Sequence, residues 1–128
     1  MTKRYLLCGL VTLAIGVILG AFGAHGLESR LSPKYMEIYE TGIFYLFIHA
    51  LGLTALMMYH DAKGAKANIW IGRLFMAGVF LFSGSLLLIA LHEPLVLPLL
   101  RKFGAVAPIG GLCLIAGWLL AAREISKL

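Results

Sequence analysis

Charge is what this sequence has least of. Asp, Glu, Lys and Arg make up 13% of its 128 residues, about half the share usual in a soluble domain. Almost all of those charges lie between long apolar runs, so a water-soluble globular domain is excluded. Cysteine is equally scarce, with only Cys8 and Cys113. In the helical spans described below, their depths differ by about 10 Å. A disulfide needs Cα atoms within about 7 Å, so two free thiols are expected. Neither has metal-ligand spacing with another Cys or His, and no metal or cofactor is expected. A nucleophile elbow, a phosphate-binding glycine loop, an HExxH and a paired CxxC are all missing. So are paired carboxylates and a Ser/His/Asp set. The chain is therefore read as a protein without hydrolytic chemistry, and not as an enzyme.

What is abundant is apolar side chain: 61% of the residues, with a mean hydropathy of +0.94. It is concentrated in four runs, Tyr5–Ala24, Thr41–Tyr59, Ile69–Leu91 and Gly104–Ala122. Each is about 20 residues, enough to cross the ~30 Å hydrocarbon core as a helix. Connections of about 9 to 16 residues leave no room for a second domain. The expected fold is all-α, an antiparallel bundle of four transmembrane helices forming one domain over residues 1–128. Lys3-Arg4 followed by an apolar run and Ala21-Phe22-Gly23-Ala24 has the outline of a signal peptide. The run exceeds a usual signal core and three more spans follow, so it is read as a retained first span.

The net charge of +5 does not indicate nucleic acid. The basic residues cap apolar spans and form no basic face, so their natural partners are lipid phosphates and the aqueous boundary. Lys3, Arg4, Lys63, Lys66, Arg73, Arg123 and Lys127 fall on one side of the bilayer, and Arg30, Lys34, Arg101 and Lys102 on the other. Seven against four places both termini in the cytoplasm by the positive-inside rule.

The connectors carry their own signals. Ser32-Pro33 reads as a helix cap followed by proline at the first helical position, so Lys34–Glu40 adds one to two turns above the membrane. Tyr35 and Tyr39 suit an interfacial aromatic belt. Leu27–Leu31 is read as a short surface helix, and Pro94–Leu100 as an apolar segment lying at the interface.

Several residues need a reason to sit in lipid. Gly16, Gly20 and Gly23 put bare backbone on one face of span 1, for close approach of another helix of this chain or of a second protomer. Thr41, Tyr45 and His49 form one stripe on span 2, with His49 near the midplane. An ionisable group there suggests a proton, ion or polar-ligand role, but a neutral imidazole bonded to a neighbour simply locks the bundle. Metal binding at His49 is the remaining reading. Ser83, Gly84 and Ser85 on span 3 suit helix contact, with hydroxyls bonding across helices or back to their own carbonyls. Pro108, Gly110 and Gly111 open span 4 with a kink or late start, and Trp118 suits an anchor at the inner boundary. His25, Glu40, His92 and Glu93 are read as solvated boundary residues, and His60 and Asp61 as inner-loop residues.

Gly20-Ala-Phe-Gly-Ala-His25-Gly26-Leu27, Glu40-Thr41-Gly42-Ile43-Phe44-Tyr45 through His49-Ala50-Leu51, Leu81–Leu86, and Pro108–Gly111 through Ala116-Gly117-Trp118 together resemble the YgdD-like family of small inner-membrane proteins of unknown function. The resemblance covers nearly the whole chain, with Leu87 and Ala107 standing where the family commonly has Tyr and Thr. It implies a four-span protein of the cytoplasmic membrane without an established activity, and it supplies no catalytic residues.

Two functional expectations follow. The first is a non-enzymatic module acting by helix contact, as a homo-oligomer or beside a larger membrane partner. The second is a minimal channel or transporter with Tyr45 and His49 lining a polar path. The singled-out residues concentrate in the outer half of the bundle. Either that half is tightly packed, or it opens as a vestibule with His49 at its floor.

Overall fold

The computed structural model describes residues 2–127, and they are helical almost throughout. Helix α1 spans Thr2–Phe22 and runs into a π-helical turn over Gly23–Leu27. Helix α2 spans Pro33–Ala62, α3 spans Ile69–Leu95 and α4 spans Ala107–Ile125. A 3-10 stretch, Pro98–Ala105, leads into α4. All four helices are long and apolar enough to cross a membrane, as the apolar runs predict. Helices α2 and α3 are longer than their runs because residues of the connectors finish their ends.

The helix ends follow from local chemistry, with three corrections. Asn68 caps α3 by accepting the Trp70 N–H at 3.0 Å, satisfying a donor that the first turn leaves free. Ser32 precedes α2 and Pro33 opens it, but the Ser32 side chain does not cap. Its backbone N–H and its hydroxyl both donate to the Glu93 carboxylate, at 2.8 and 3.0 Å. Glu93 therefore ties the α1–α2 connector to the end of α3 and is not simply a solvated boundary residue. The segment Leu27–Leu31 is no surface helix: the π-helical turn continues α1, and Leu27 and Leu31 are buried. The supposed interfacial segment from Pro94 begins inside α3, which ends only where Val96 turns left-handed at φ 53° and ψ 40°. Pro108 lies in the first turn of α4, where a missing N–H costs nothing.

Consecutive helices are antiparallel neighbours, α1 on α2, α2 on α3 and α3 on α4. The central pair is more enclosed than the flanks. In its most apolar stretch α2 buries 50% of its residues, against 17% for α1 and 28% for α4. The core has three parts. At the end nearer the termini, Leu53, Met57, Ile71, Phe75 and Ala121 pack together. Leu46, Val79 and Leu114 form the middle. At the far end Leu27, Leu31, Tyr39 and Ala90 close the bundle.

Glycines set how closely the helices meet. A Cβ on Gly110 of α4 would run into the backbone of Leu81 and Phe82 in α3. One on Gly9 of α1 would strike the Thr54 hydroxyl of α2, and one on Gly16 would come 2.7 Å from Leu46 Cδ2. Gly84 differs, since a Cβ there meets nothing within 4 Å. It lines an open groove, which corrects its assignment as a helix-contact residue. Gly20 and Gly111 have only ordinary contacts, to Ile43 at 3.9 Å and Phe82 at 3.7 Å.

Gly110→Ala is expected to destabilise the protein by about 1–3 kcal/mol, the cost of forcing atoms into a filled contact. Gly84→Ala should leave stability unchanged or slightly raised, because alanine suits a helix interior better than glycine by roughly 0.5–1 kcal/mol. Reversible unfolding of both variants in mixed dodecylmaltoside and SDS micelles measures the contrast.

Candidate functional site

Polar side chains within the spans mostly turn back to their own helix. The Thr12 hydroxyl donates to the Cys8 carbonyl at 2.7 Å, Thr54 to Ala50 at 2.9 Å and Ser85 to Phe82 at 2.8 Å. Carbonyls three or four residues back are within reach of short side chains, and lipid offers no other acceptor. Among the described residues, one side-chain bond crosses between spans: buried Tyr39 donates its hydroxyl to the Leu19 carbonyl of α1 at 2.6 Å. Its ring lies against Gly23, where a Cβ would come 2.5 Å from Tyr39 Cε1. Tyr39 is therefore a core residue and not part of an interfacial belt. The belt itself is marked by cation–ring pairs: Lys34 over Tyr35, Lys63 over Tyr59 and Arg73 over Trp70.

The histidines follow the same rule. Nδ1 of His49 lies 2.7 Å from the Tyr45 carbonyl, and Nδ1 of His60 lies 2.8 Å from that of Leu56. A carbonyl only accepts, so in each neutral ring Nδ1 carries the hydrogen and Nε2 is a bare acceptor. The two acceptors meet different surroundings. His60 is 1% exposed, and its Nε2 is buried without a partner. This corrects its reading as a loop residue: α2 continues to Ala62 and carries His60 inward. The spacing Leu53, Leu56, Met57, His60 was the signal for it, since all four lie on one helix face. His49 instead lines a recess of about 290 Å³ with Tyr45, Phe82, Gly111, Leu114, Ile115 and Trp118.

That recess lies between α2 and α4 with Phe82 of α3 as one wall. Aromatic rings dominate it. The Tyr45 ring stacks on His49 at 5.6 Å and sits 4.7 Å from Phe82. Trp118 lies 6.2 Å from His49 and 4.9 Å from Phe75. Trp118 is thus no isolated boundary anchor: its ring fills the space that a side chain on Gly52 would need, 2.7 Å from the built Cβ. At the rim, Tyr45, Ile115 and Trp118 are 38, 57 and 41% exposed. They stand in the middle of their helices, so the opening faces sideways, at bilayer depth.

The other singled-out residues fall elsewhere. Thr41 is exposed and stands apart from the recess. Ser83 is buried with its hydroxyl unpartnered, beside Gly42, whose built Cβ would meet the Ser83 carbonyl at 3.3 Å. His25 and Glu40 are exposed, and Glu40 borders a shallow groove of about 200 Å³ with Gly20, Gly23 and Tyr39. The His92 ring meets Tyr35 edge-on at 4.4 Å. Cys8 and Cys113 are free thiols. Among the described residues, no three His, Cys, Asp or Glu side chains come together as a metal set.

Comparison with known proteins agrees with this architecture. Residues 19–111 match a family described as a protein of unknown function, DUF423. A UPF0382 membrane protein of Staphylococcus haemolyticus is 42% identical over 118 residues, covering 92% of this chain and 91% of its own. The UPF0382 membrane protein YwdK of Bacillus subtilis is 36% identical over 119 residues, covering 92% of each. No solved structure matches. The chain belongs to the DUF423/UPF0382 family of small membrane proteins of unknown function.

The polar groups respond differently to removal. Tyr39→Phe should cost about 1 kcal/mol, the usual net value of one hydrogen bond. Ser83→Ala should instead stabilise by about 1 kcal/mol, because it deletes a buried hydroxyl without a partner. Thermal unfolding in detergent, followed by circular dichroism, distinguishes a loss from a gain.

Proposed function

We propose that this member of the DUF423 family is a non-enzymatic module of the cytoplasmic membrane, with both termini in the cytoplasm. It binds a membrane-dissolved amphiphile in the recess at His49. The observation that supports this reading is the His49 imidazole, tied to the Tyr45 carbonyl through Nδ1 so that Nε2 is left for another partner, in the wall of an aromatic recess at bilayer depth. The recess has flat, mostly apolar walls, and no Asp, Glu, Lys or Arg lines it. Desolvating a charged ligand there would be costly. A hydrophobic molecule with one hydrogen-bond donor, such as a phenol or an alcohol on an alkyl body, suits both features.

Gly16 and Gly23 of the α1 row that suggested self-association are already covered from within the chain by Leu46, Phe47 and Tyr39, and Gly110 of α4 by Leu81 and Phe82. Binding at His49 therefore supports the proposal better than assembly through those glycines. The orientation rests on the basic residues at the end of the bundle that holds the termini.

Purified protein carrying Trp70→Phe, so that Trp118 alone reports, should show a saturable change in fluorescence when titrated with 4-nonylphenol. Nonylbenzene, lacking the hydroxyl, should bind roughly three- to tenfold more weakly, as expected for one hydrogen bond of about 1 kcal/mol. His49→Ala should abolish the difference between the two probes. Equal binding of both probes by the unmodified protein sinks the proposal. Proteoliposome flux that disappears in His49→Ala would favour the conducting alternative. For topology, a cysteine placed at Ser126 should react with a membrane-impermeant maleimide only from the cytoplasmic face.

A further inference from the structure

A second recess lies at the end of the bundle away from the termini, and its chemistry differs from that at His49. The groove of about 340 Å³ is bounded by Phe80, Leu81, Gly84, Leu88, Phe103 and Val106. It runs between α3 and the 3-10 stretch that leads into α4. Gly84 faces open space in it: a Cβ built there would meet nothing within 4 Å. Every other wall is apolar, apart from Ser85, whose hydroxyl is already committed to the Phe82 carbonyl.

The groove continues toward the membrane surface. Phe103 and Val106 are shared with a neighbouring recess of about 310 Å³, whose other walls are Leu99 and Lys102. Lys102 and Arg101 are adjacent on the same stretch, and both are exposed. Leu99 and Phe103 thus flank the paired cations Arg101 and Lys102 on a short amphipathic segment at the mouth of an apolar slot. Amphipathic segments with basic residues lie in the headgroup region and attract anionic lipid.

We propose that this groove is a binding site for one anionic phospholipid, in the leaflet away from the termini. One acyl chain lies against Gly84, Phe80 and Leu88, and the phosphate is met by Lys102 and Arg101. The charge at the mouth selects this occupant. A helix of a partner protein would need no paired cations at the interface, and a free phosphate would have no use for the slot.

Native mass spectrometry of the full-length protein released from detergent tests the site, with phosphatidylglycerol and phosphatidylcholine added separately. The unmodified protein should retain one phosphatidylglycerol at least threefold more than phosphatidylcholine. The double variant Arg101→Gln, Lys102→Gln should lose that preference and keep the phosphatidylcholine level. Gly84→Leu fills the slot without meeting another wall at its Cβ, and should reduce retention of both lipids at least threefold. Leu88→Trp, which narrows the slot from a different position, should do the same. Equal retention of the two lipids by the unmodified protein overturns the proposal. So does undiminished retention by folded Gly84→Leu or Leu88→Trp. Binding that survives slot filling but follows the cations would identify an exposed charged patch and likewise overturn it.

Discussion

Inside a bilayer the hydrophobic effect does little to bring helices together, because lipid tails are as apolar as leucine. What remains is close contact, and in this protein glycine makes it possible. Gly110 lets α4 lie against the backbone of α3, and Gly9, Gly16 and Gly23 let α1 lie against α2. Dispersion falls steeply with separation, so these few positions decide how far apart the helices sit. The buried core and the two recesses depend on that spacing. Where a glycine is not covered, as at Gly84, the same absence of a side chain leaves a slot.

Polar chemistry plays a secondary part in holding the spans together. Thr12, Thr54, Ser85, His49 and His60 bond to carbonyls of their own helix. That arrangement satisfies one group on each side chain and adds no link between helices. It also has a chemical consequence. A histidine tied back through Nδ1 presents its other nitrogen as an acceptor, and the surroundings decide whether anything reaches it. At His60 nothing does. At His49 the aromatic recess leaves it open to a ligand. The links that do run between segments, Tyr39 to Leu19 and Glu93 to Ser32, lie at the end away from the termini.

Much of this was legible in the residues, in an uneven way. The four spans follow from length and hydropathy because backbone polar groups in lipid must be satisfied internally. The close approach at Gly16, Gly23 and Gly110 follows from helical spacing. Spacing did not reveal that Gly9 continues the same face two turns lower, although Gly9, Gly16 and Gly23 repeat every seven residues. Nor does spacing tell a covered glycine from an open one. Gly84 and Gly110 look alike in the sequence and have opposite surroundings, because a neighbour's position is a tertiary property. Close contact is also not confined to the half away from the termini: Gly52 under Trp118 and Gly72 under Tyr5 lie toward them.

By itself, the sequence determined the class of the protein, the number of helices and their antiparallel order. It also determined which residues are too polar to sit in lipid without a reason. Hydropathy and helical period carry all of that, since both are properties of one segment at a time. The tertiary structure alone decided that Glu93 holds Ser32. It also decided that Trp118 and Phe82 wall the space beside His49, and that Gly84 opens a slot. Those outcomes depend on which side chain of one helix reaches a given point on another, and no single segment contains that information.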